Sequence, residues 1–304
     1  MYHYVRPFDK ELPYFKNLDV EDFSQQLDYF EKEFGFVSKQ EFLDSFKTGI
    51  TPKGVVLTFD DGLKCHYNFV YKELKKRNLW GIFYISTDNY QTNKLLDVHR
   101  VHLLLGRCSS ETVYKELMKI TTDDILKDQF VSDFQLLTYS LQDNDEYTKS
   151  VKQILNYYID YDFREKVIDE LILKLIPEEL NRADSFYMTV AEINELHANG
   201  MIVGSHTVSH SVMSKLTVNQ QKKEIKESFS FLESVVESLP VKTFCYPYGG
   251  FHTFTEDTIQ LLNKEECLFS FNVEHRDIND YDLTNNFQAL PRYDCNVFPY
   301  GKCR

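Results

Sequence analysis

The chain predicts an α/β fold built on parallel strands, and three observations carry that expectation. Short β-prone runs at 55–59, 81–86, 201–205, 241–246 and 267–273 are separated by stretches of helical periodicity. The first run, Val55 to Phe59, passes straight into Asp60, Asp61 and Gly62. A buried strand there delivers charge to its C-terminal end, where α/β folds place their chemistry. Finally, 304 residues with 42% hydrophobic content, including 24 Phe and 20 Tyr, can bury a sizeable core.

Residues 2–5 (Tyr2, His3, Tyr4, Val5) are β-prone and open a first strand; His3 either points at a site or packs. Val20, Phe23, Leu27, Phe30 and Phe34 give one apolar helix face, with Asp19 to cap it and Gly35 to end it. After strand 55–59, Tyr67, Val70, Tyr71 and Leu74 mark a helix, with Lys75, Lys76 and Arg77 near its C-terminal end, where cations are favoured. Gly81–Ser86 is the next buried strand, which completes a strand–helix–strand crossover.

The rhythm then changes. About residues 100–185 form a helical insertion within what reads as a single domain, 1–304. Its helices carry Val113, Leu117 and Ile120; Val151, Ile154, Leu155 and Tyr158; and Val167, Leu171 and Leu175, stopping near Pro177. The α/β pattern resumes with a capping box, Thr189 with Glu192, and a helix closed by Gly200. Strand 201–205 ends at His206. Thr217 with Gln220 opens a long helix carrying Ile225, Phe229, Leu232 and Val236. Strand 241–246 runs into Pro247, Tyr248, Gly249 and Gly250. A helix near 255–264, strand 267–273 and a last strand near Phe287–Leu290 lead to Pro291 and Arg292.

The balance of 34 basic against 47 acidic residues, net −13, argues against nucleic acid and anionic membranes as partners. No run of 18 apolar residues and no leader pattern is visible, so cytoplasm is the expected compartment. Cysteines 65, 108, 245, 267, 295 and 303 are scattered without a CxxC pair; they are expected to stay reduced.

Parallel strands bring their C-terminal ends to one face. That collects Asp60 and Asp61, His206, the Tyr-Pro-Tyr-Gly turn and Arg292. Adjacent carboxylates repel unless a cation, a donor or a shared proton compensates. A plain Asp-Asp-Gly turn is the alternative. His206 and His210 have a spacing that puts both rings on one side of a helical turn, able to share a metal with a carboxylate. A pair of solvated surface histidines is the bland reading.

TFDDG at 58–62, HTVSH at 206–210 and YPYG at 246–249, in that order, resemble the polysaccharide deacetylases, the NodB-homology group of carbohydrate esterases. The resemblance spans roughly 55 to 292. It implies a distorted (β/α) barrel, a divalent metal with zinc first among the first-row ions, and removal of an N-acyl group, usually acetyl, from an amino-sugar-containing glycan or glycan precursor. Asp61, His206 and His210 would be the metal ligands and Asp60 the general base. The backbone N–H of Tyr248 would hold the developing oxyanion, and Tyr246 and Tyr248 would pack on the sugar. This chain departs from the pattern twice. Cys245 stands where many members have Arg, and Leu290, Pro291 and Arg292 stand where many have Leu-x-His. Arg292 cannot donate a proton at ordinary pH but can orient Asp60 or steady a charge. His99, His102 and His275 are the candidates for the missing acid. Two other readings remain: a saccharide- or partner-binding member with little or no catalysis, and an amidase or deformylase acting on another C–N bond.

Overall fold

The computed structural model describes residues 1–128, 130–139, 142, 144–178 and 183–304. In chain order the elements are α1 (Val20–Glu33), α2 (Lys39–Thr48), β1 (Thr58–Phe59), α3 (Lys72–Lys76), β2 (Ile82–Ile85), α4 (Asp88–Thr92), α5 (Asp97–Arg107), α6 (Ser110–Ile120) and α7 (Ser132–Leu137). They continue with α8 (Glu146–Gln153), α9 (Tyr161–Leu175), α10 (Ala183–Phe186), α11 (Val190–Ala198), β3 (Ile202–Ser205), α12 (Val218–Val235), β4 (Thr243–Cys245), α13 (Glu256–Lys264), β5 (Phe269–Phe271) and α14 (Asp280–Asn285). The chain divides into two compact units. One comprises Met1–Phe8, Asn17–Asp88 and Asp184–Arg304; the other comprises Asp9–Lys16 and Asn89–Ala183.

All five strands lie in the first unit, parallel and in the order β1-β2-β3-β4-β5. Each strand joins the same edge in turn, with no reversal, which is barrel winding rather than doubly wound winding. Short segments extend both edges. Tyr2 bridges Phe59 beside β1, and Leu290 bridges Phe271 beside β5. These two edges then meet. The Met1 amine donates to the Tyr293 carbonyl at 2.7 Å, and the Cys295 N–H donates to the Met1 carbonyl at 3.1 Å. The sheet is therefore curled into the distorted (β/α) barrel expected from sequence.

Local chemistry accounts for the elements. Asp19 caps α1 by accepting from the Glu21 N–H, and Phe23, Leu27 and Phe30 face inward. The capping boxes at Thr189 and Thr217 form as expected. Helix α2 was not anticipated; Ser38 and Glu41 box its start and Gly49, in the left-handed region at φ 69°, ends it. Tyr2, Phe59 and Phe83 stack in sequence across the sheet, with centroid spacings of 5.3 and 4.8 Å.

Three expectations need correction. Residues 206–210 are not helical. Thr207 and His210 both have positive φ, 67° and 57°, which breaks a right-handed helix. The last strand is a 3-10 turn, Phe287–Ala289, followed by single bridges at Leu290 and Arg292. Pro291 between them has no N–H with which to extend a ladder. Residues 2–5 pair only at Tyr2 and Val5.

The second unit is helical. Val113 and Leu117 of α6, Val151 of α8, Leu155 of the π-helix Ile154–Tyr158, and Ile168 and Leu171 of α9 are all buried. Arg100 on α5 pairs with Asp97 and Asp169. Parts of the expected insertion, at 129, 140–141, 143 and 179–182, lie outside the described residues.

Gly204, inside β3, shows how close the first unit packs. A Cβ there would lie 2.5 Å from the Tyr84 ring and 2.8 Å from the Thr243 methyl. Gly204→Ala should lower stability by roughly 1–3 kcal/mol, read as a lower urea midpoint with unchanged m-value; an unchanged midpoint would show that β3 has slack.

Candidate metal and base site

The strand ends place two carboxylates in different surroundings. Asp60 and Asp61 follow β1, and both are buried. Asp61 sits at φ 81°, in the left-handed region, so the chain turns sharply between the two acids and sends their side chains to different partners.

Asp60 belongs to an ion pair. The Arg292 Nη1 donates to Asp60 Oδ1 at 2.9 Å and Nη2 donates to Oδ2 at 2.5 Å, a two-pronged contact. Arg292 also donates to the Thr58 hydroxyl at 3.0 Å and meets the Cys245 sulfur at 2.7 Å. Burial alone would push the Asp60 carboxyl up. The Arg292 charge and its hydrogen bonds, with His206 and His3 nearby, outweigh burial and hold it well below the usual carboxylate range. Burial pushes the Cys245 thiol up, so a neutral sulfur lies beside the guanidinium.

Asp61 faces two histidines. Its Oδ1 stands 3.4 Å from His206 Nε2 and 3.3 Å from His210 Nε2. The two imidazoles meet edge to face, with centroids 4.7 Å apart, and Tyr248 packs edge-on against His210 at 4.9 Å. The His206 Nδ1 lies 2.8 Å from the Cys245 carbonyl. A carbonyl only accepts, so Nδ1 carries the proton and, in the neutral ring, a bare Nε2 lone pair points at a carboxylate. Lone pairs at that distance repel unless a proton on Nε2 or a metal cation lies between them. Two ligands about 2.1 Å from an ion at tetrahedral angles stand about 3.4 Å apart, and the observed spacings fit. The donor set of two imidazoles and one carboxylate suits zinc or a similar first-row ion.

A second grouping, Asp60, His206 and Cys245, also has its ligand atoms within 4.8 Å of one another. It is the poorer cation site, because the Arg292 guanidinium already neutralises Asp60 and touches the sulfur.

The loop holding the histidines is fixed by side chains. Ser205 Oγ accepts from the Thr207 N–H, and Thr207 Oγ1 accepts from the His210 N–H at 2.9 Å. Glu224 on α12 accepts from the Val208 and Ser209 N–H groups at 2.8 and 2.9 Å. Left-handed backbone at Asp61, Thr207, His210 and Tyr248 costs roughly 1–3 kcal/mol per residue and persists only where such bonds over-determine it.

The sequence-predicted residues thus separate into groups. Asp61, His206 and His210 converge, and Asp60 pairs with Arg292. Tyr246 cannot pack on a sugar: it is buried, stacked on Phe254 at 3.8 Å, and its hydroxyl donates to the Gln288 carbonyl. Tyr248 is half-buried. His99 and His102 lie on α5 in the second unit. His275 stacks on Tyr293 at 5.9 Å. Besides His206, His3 stands beside Asp60: its Nε2 lies 3.9 Å from Asp60 Oδ2, with its side chain 38% exposed. Its signal in the sequence was a polar ring in a β-prone segment, which does not say which strand end it joins.

Removing one member of a buried pair leaves the other charge uncompensated. Arg292→Met should destabilise by roughly 3–5 kcal/mol at pH 7, and Asp60→Asn/Arg292→Met should recover part of that loss. Folding lowers the Asp60 pKa, so its stabilisation is present above the unfolded carboxyl value of about 4 and is lost as pH falls towards the folded value. The penalty of Arg292→Met should therefore shrink below about pH 4 in urea titrations; a penalty constant with pH would refute the ion pair.

Residues 175–267 match the sequence profile of the family described as polysaccharide deacetylase. No curated protein matches the chain. Among solved structures, the chain is similar to the Streptococcus pyogenes deacetylase PplD in complex with acetate, at TM-score 0.59 and 16% identity over 96% of this chain and 89% of that one. It is similar to the de-N-acetylase from Aggregatibacter actinomycetemcomitans at TM-score 0.52 and 15% identity, over 96% and 92%. It also resembles the polysaccharide deacetylase BC0361 from Bacillus cereus at TM-score 0.52 and 14% identity, over 96% of this chain but 62% of that one. The chain thus carries the fold of the polysaccharide deacetylases and, over residues 175–267, their sequence pattern.

Proposed function

We propose that this protein is a metal-dependent hydrolase that removes an N-acyl group, acetyl first, from an amino sugar of a glycan or glycan precursor. The observation that carries the reading is the split of adjacent carboxylates: Asp61 against two imidazole Nε2 atoms, Asp60 against Arg292. The similar structures support the acyl group, since all three are described as deacetylases and one holds acetate.

Asp61, His206 and His210 would hold the ion. A bound divalent cation would supply Lewis acidity, polarising the acyl carbonyl and acidifying the attacking water. Asp60 stays ionised through the neutral range because Arg292 holds it there, so it is ready to accept a proton from that water. The Tyr248 backbone N–H is the donor proposed for the oxyanion, on a turn whose Gly250 N–H donates to Asn272 Oδ1 at 2.8 Å. Collapse of the tetrahedral centre breaks the C–N bond, and the leaving nitrogen takes a proton to depart as an amine. His3, half-exposed beside Asp60, is positioned to give it. Arg292 stays charged throughout and orients the base.

Protein prepared without chelator should contain about one divalent ion per chain and release acetate from N-acetylamino-sugar oligomers. Asp60→Asn should keep the metal and lose roughly 10²–10⁴-fold in kcat, whereas Asp61→Asn should lose the metal. Full activity in Asp60→Asn, or metal-replete protein inert on every N-acyl sugar tried, would sink the reading; the latter result would favour a saccharide-binding role.

His3→Gln should lower kcat by roughly 10²-fold with metal content unchanged. An unchanged kcat would remove His3 from the chemistry.

A further inference from the structure

We infer that His66 is a positioning residue that docks the N-terminal segment so that His3 faces Asp60. This rests on the reading of His3 given above.

The N-terminal segment is bonded on both sides of His3: beyond it, the Leu18 N–H donates to the Tyr4 carbonyl at 2.9 Å and the Arg6 N–H donates to the Leu18 carbonyl at 3.0 Å. Before it, the Tyr2 N–H donates to the Thr58 carbonyl and the Asp60 N–H donates to the Tyr2 carbonyl, both at 2.9 Å. That is a single bridge, and it ends one residue before His3. The His3 carbonyl is held from elsewhere: His66 Nε2 lies 2.6 Å from it. A carbonyl accepts only, so His66 carries its proton on Nε2 and donates.

His66 is built for that single contact. It is fully buried, with its ring edge-on to Phe59 at 5.7 Å and to Phe83 at 6.0 Å. Its other nitrogen, Nδ1, is buried without a hydrogen-bond partner. A histidine kept inside an aromatic wall with one nitrogen unsatisfied costs stability, where a Phe or Leu would cost none. Its bond to His3 offsets part of that cost. Burial also pushes the imidazole down to about 4, so the ring is neutral and contributes no charge to the site.

The connection to the base is short. His66 lies six residues after Asp60 and begins a π-helix, His66–Tyr71, that continues the helical stretch opening at Lys64. Such π segments recur at functional sites, where they redirect a side chain. Here the π segment starts at the residue that reaches back to the N-terminal segment. Residues 60–66 therefore carry the proposed base, the metal-facing carboxylate and the donor that fixes the neighbouring histidine.

The test compares His66→Leu, which cannot donate, with His66→Gln, whose amide nitrogen reaches about as far as Nε2. Two readouts are taken. The first is the rate at which diethyl pyrocarbonate modifies His3, read by mass spectrometry of the N-terminal peptide; it needs no enzymatic activity. Modification should be severalfold faster in His66→Leu and as slow as wild type in His66→Gln. The second is a double-mutant cycle with His3→Gln on acetate release. His66→Leu should lower kcat roughly 10- to 100-fold with KM little changed, His66→Gln should restore most of it, and the effect should vanish in the His3→Gln background. Equal modification rates in all three proteins, failure of His66→Gln to rescue, or an undiminished loss in the His3→Gln background would each overturn the assignment. If wild type proves inert on N-acyl sugars, the function reading falls and the modification rates still decide whether His66 docks His3.

Discussion

The buried ion pair between Arg292 and Asp60 is the constraint on which the first unit depends. Asp60 follows the first strand of the sheet and Arg292 lies in the last bridged segment, so their contact joins the two edges of a curled sheet. The pair also determines what Asp60 can be. Burial opposes its charge, and the guanidinium reverses that by bonding both oxygens. Closure of the fold and ionisation of the proposed base are thus consequences of the same contact.

The contact also relates the two departures, at Cys245 and Arg292, from the pattern that the sequence resemblance implies. With Cys245 at the third motif, no cation comes from that strand end to face Asp60. Arg292 supplies it from the last segment, and its Nη2 lies against the Cys245 sulfur. A residue committed to Asp60 cannot also be a proton donor. In the proposed mechanism the donor comes from the opposite edge, as His3, with His66 behind it. A carboxylate held so far below its usual range is a weak base, which makes cation-acidified water the fitting proton source.

Much of the barrel was legible in the sequence because its strands are short apolar runs bounded by helix caps, and caps are local chemistry. Thr189 with Glu192 and Thr217 with Gln220 formed the expected boxes. The proposed metal ligands were legible in two short motifs, TFDDG and HTVSH. Less was legible where tertiary hydrogen bonds override local preference. HTVSH has helical spacing, yet Ser205, Thr207 and Glu224 take its backbone N–H groups and hold two residues at positive φ. Tyr246 was expected to pack on the sugar, and Phe254 and the Gln288 carbonyl bury it instead. His3 and Asp60 are 57 residues apart in sequence, and no periodicity relates them. The same holds for the Arg292 partners, which only closure of the sheet brings together.

The central claim is that the paired acids have different work, Asp61 with the ion and Asp60 with Arg292. Anomalous diffraction from crystals grown with zinc tests it most directly. The account predicts one peak about 2.1 Å from Asp61 Oδ1 and from the Nε2 atoms of His206 and His210, with Asp60 still bonded to Arg292. A peak ligated by Asp60 and Cys245, or none at either position at millimolar zinc, would contradict it.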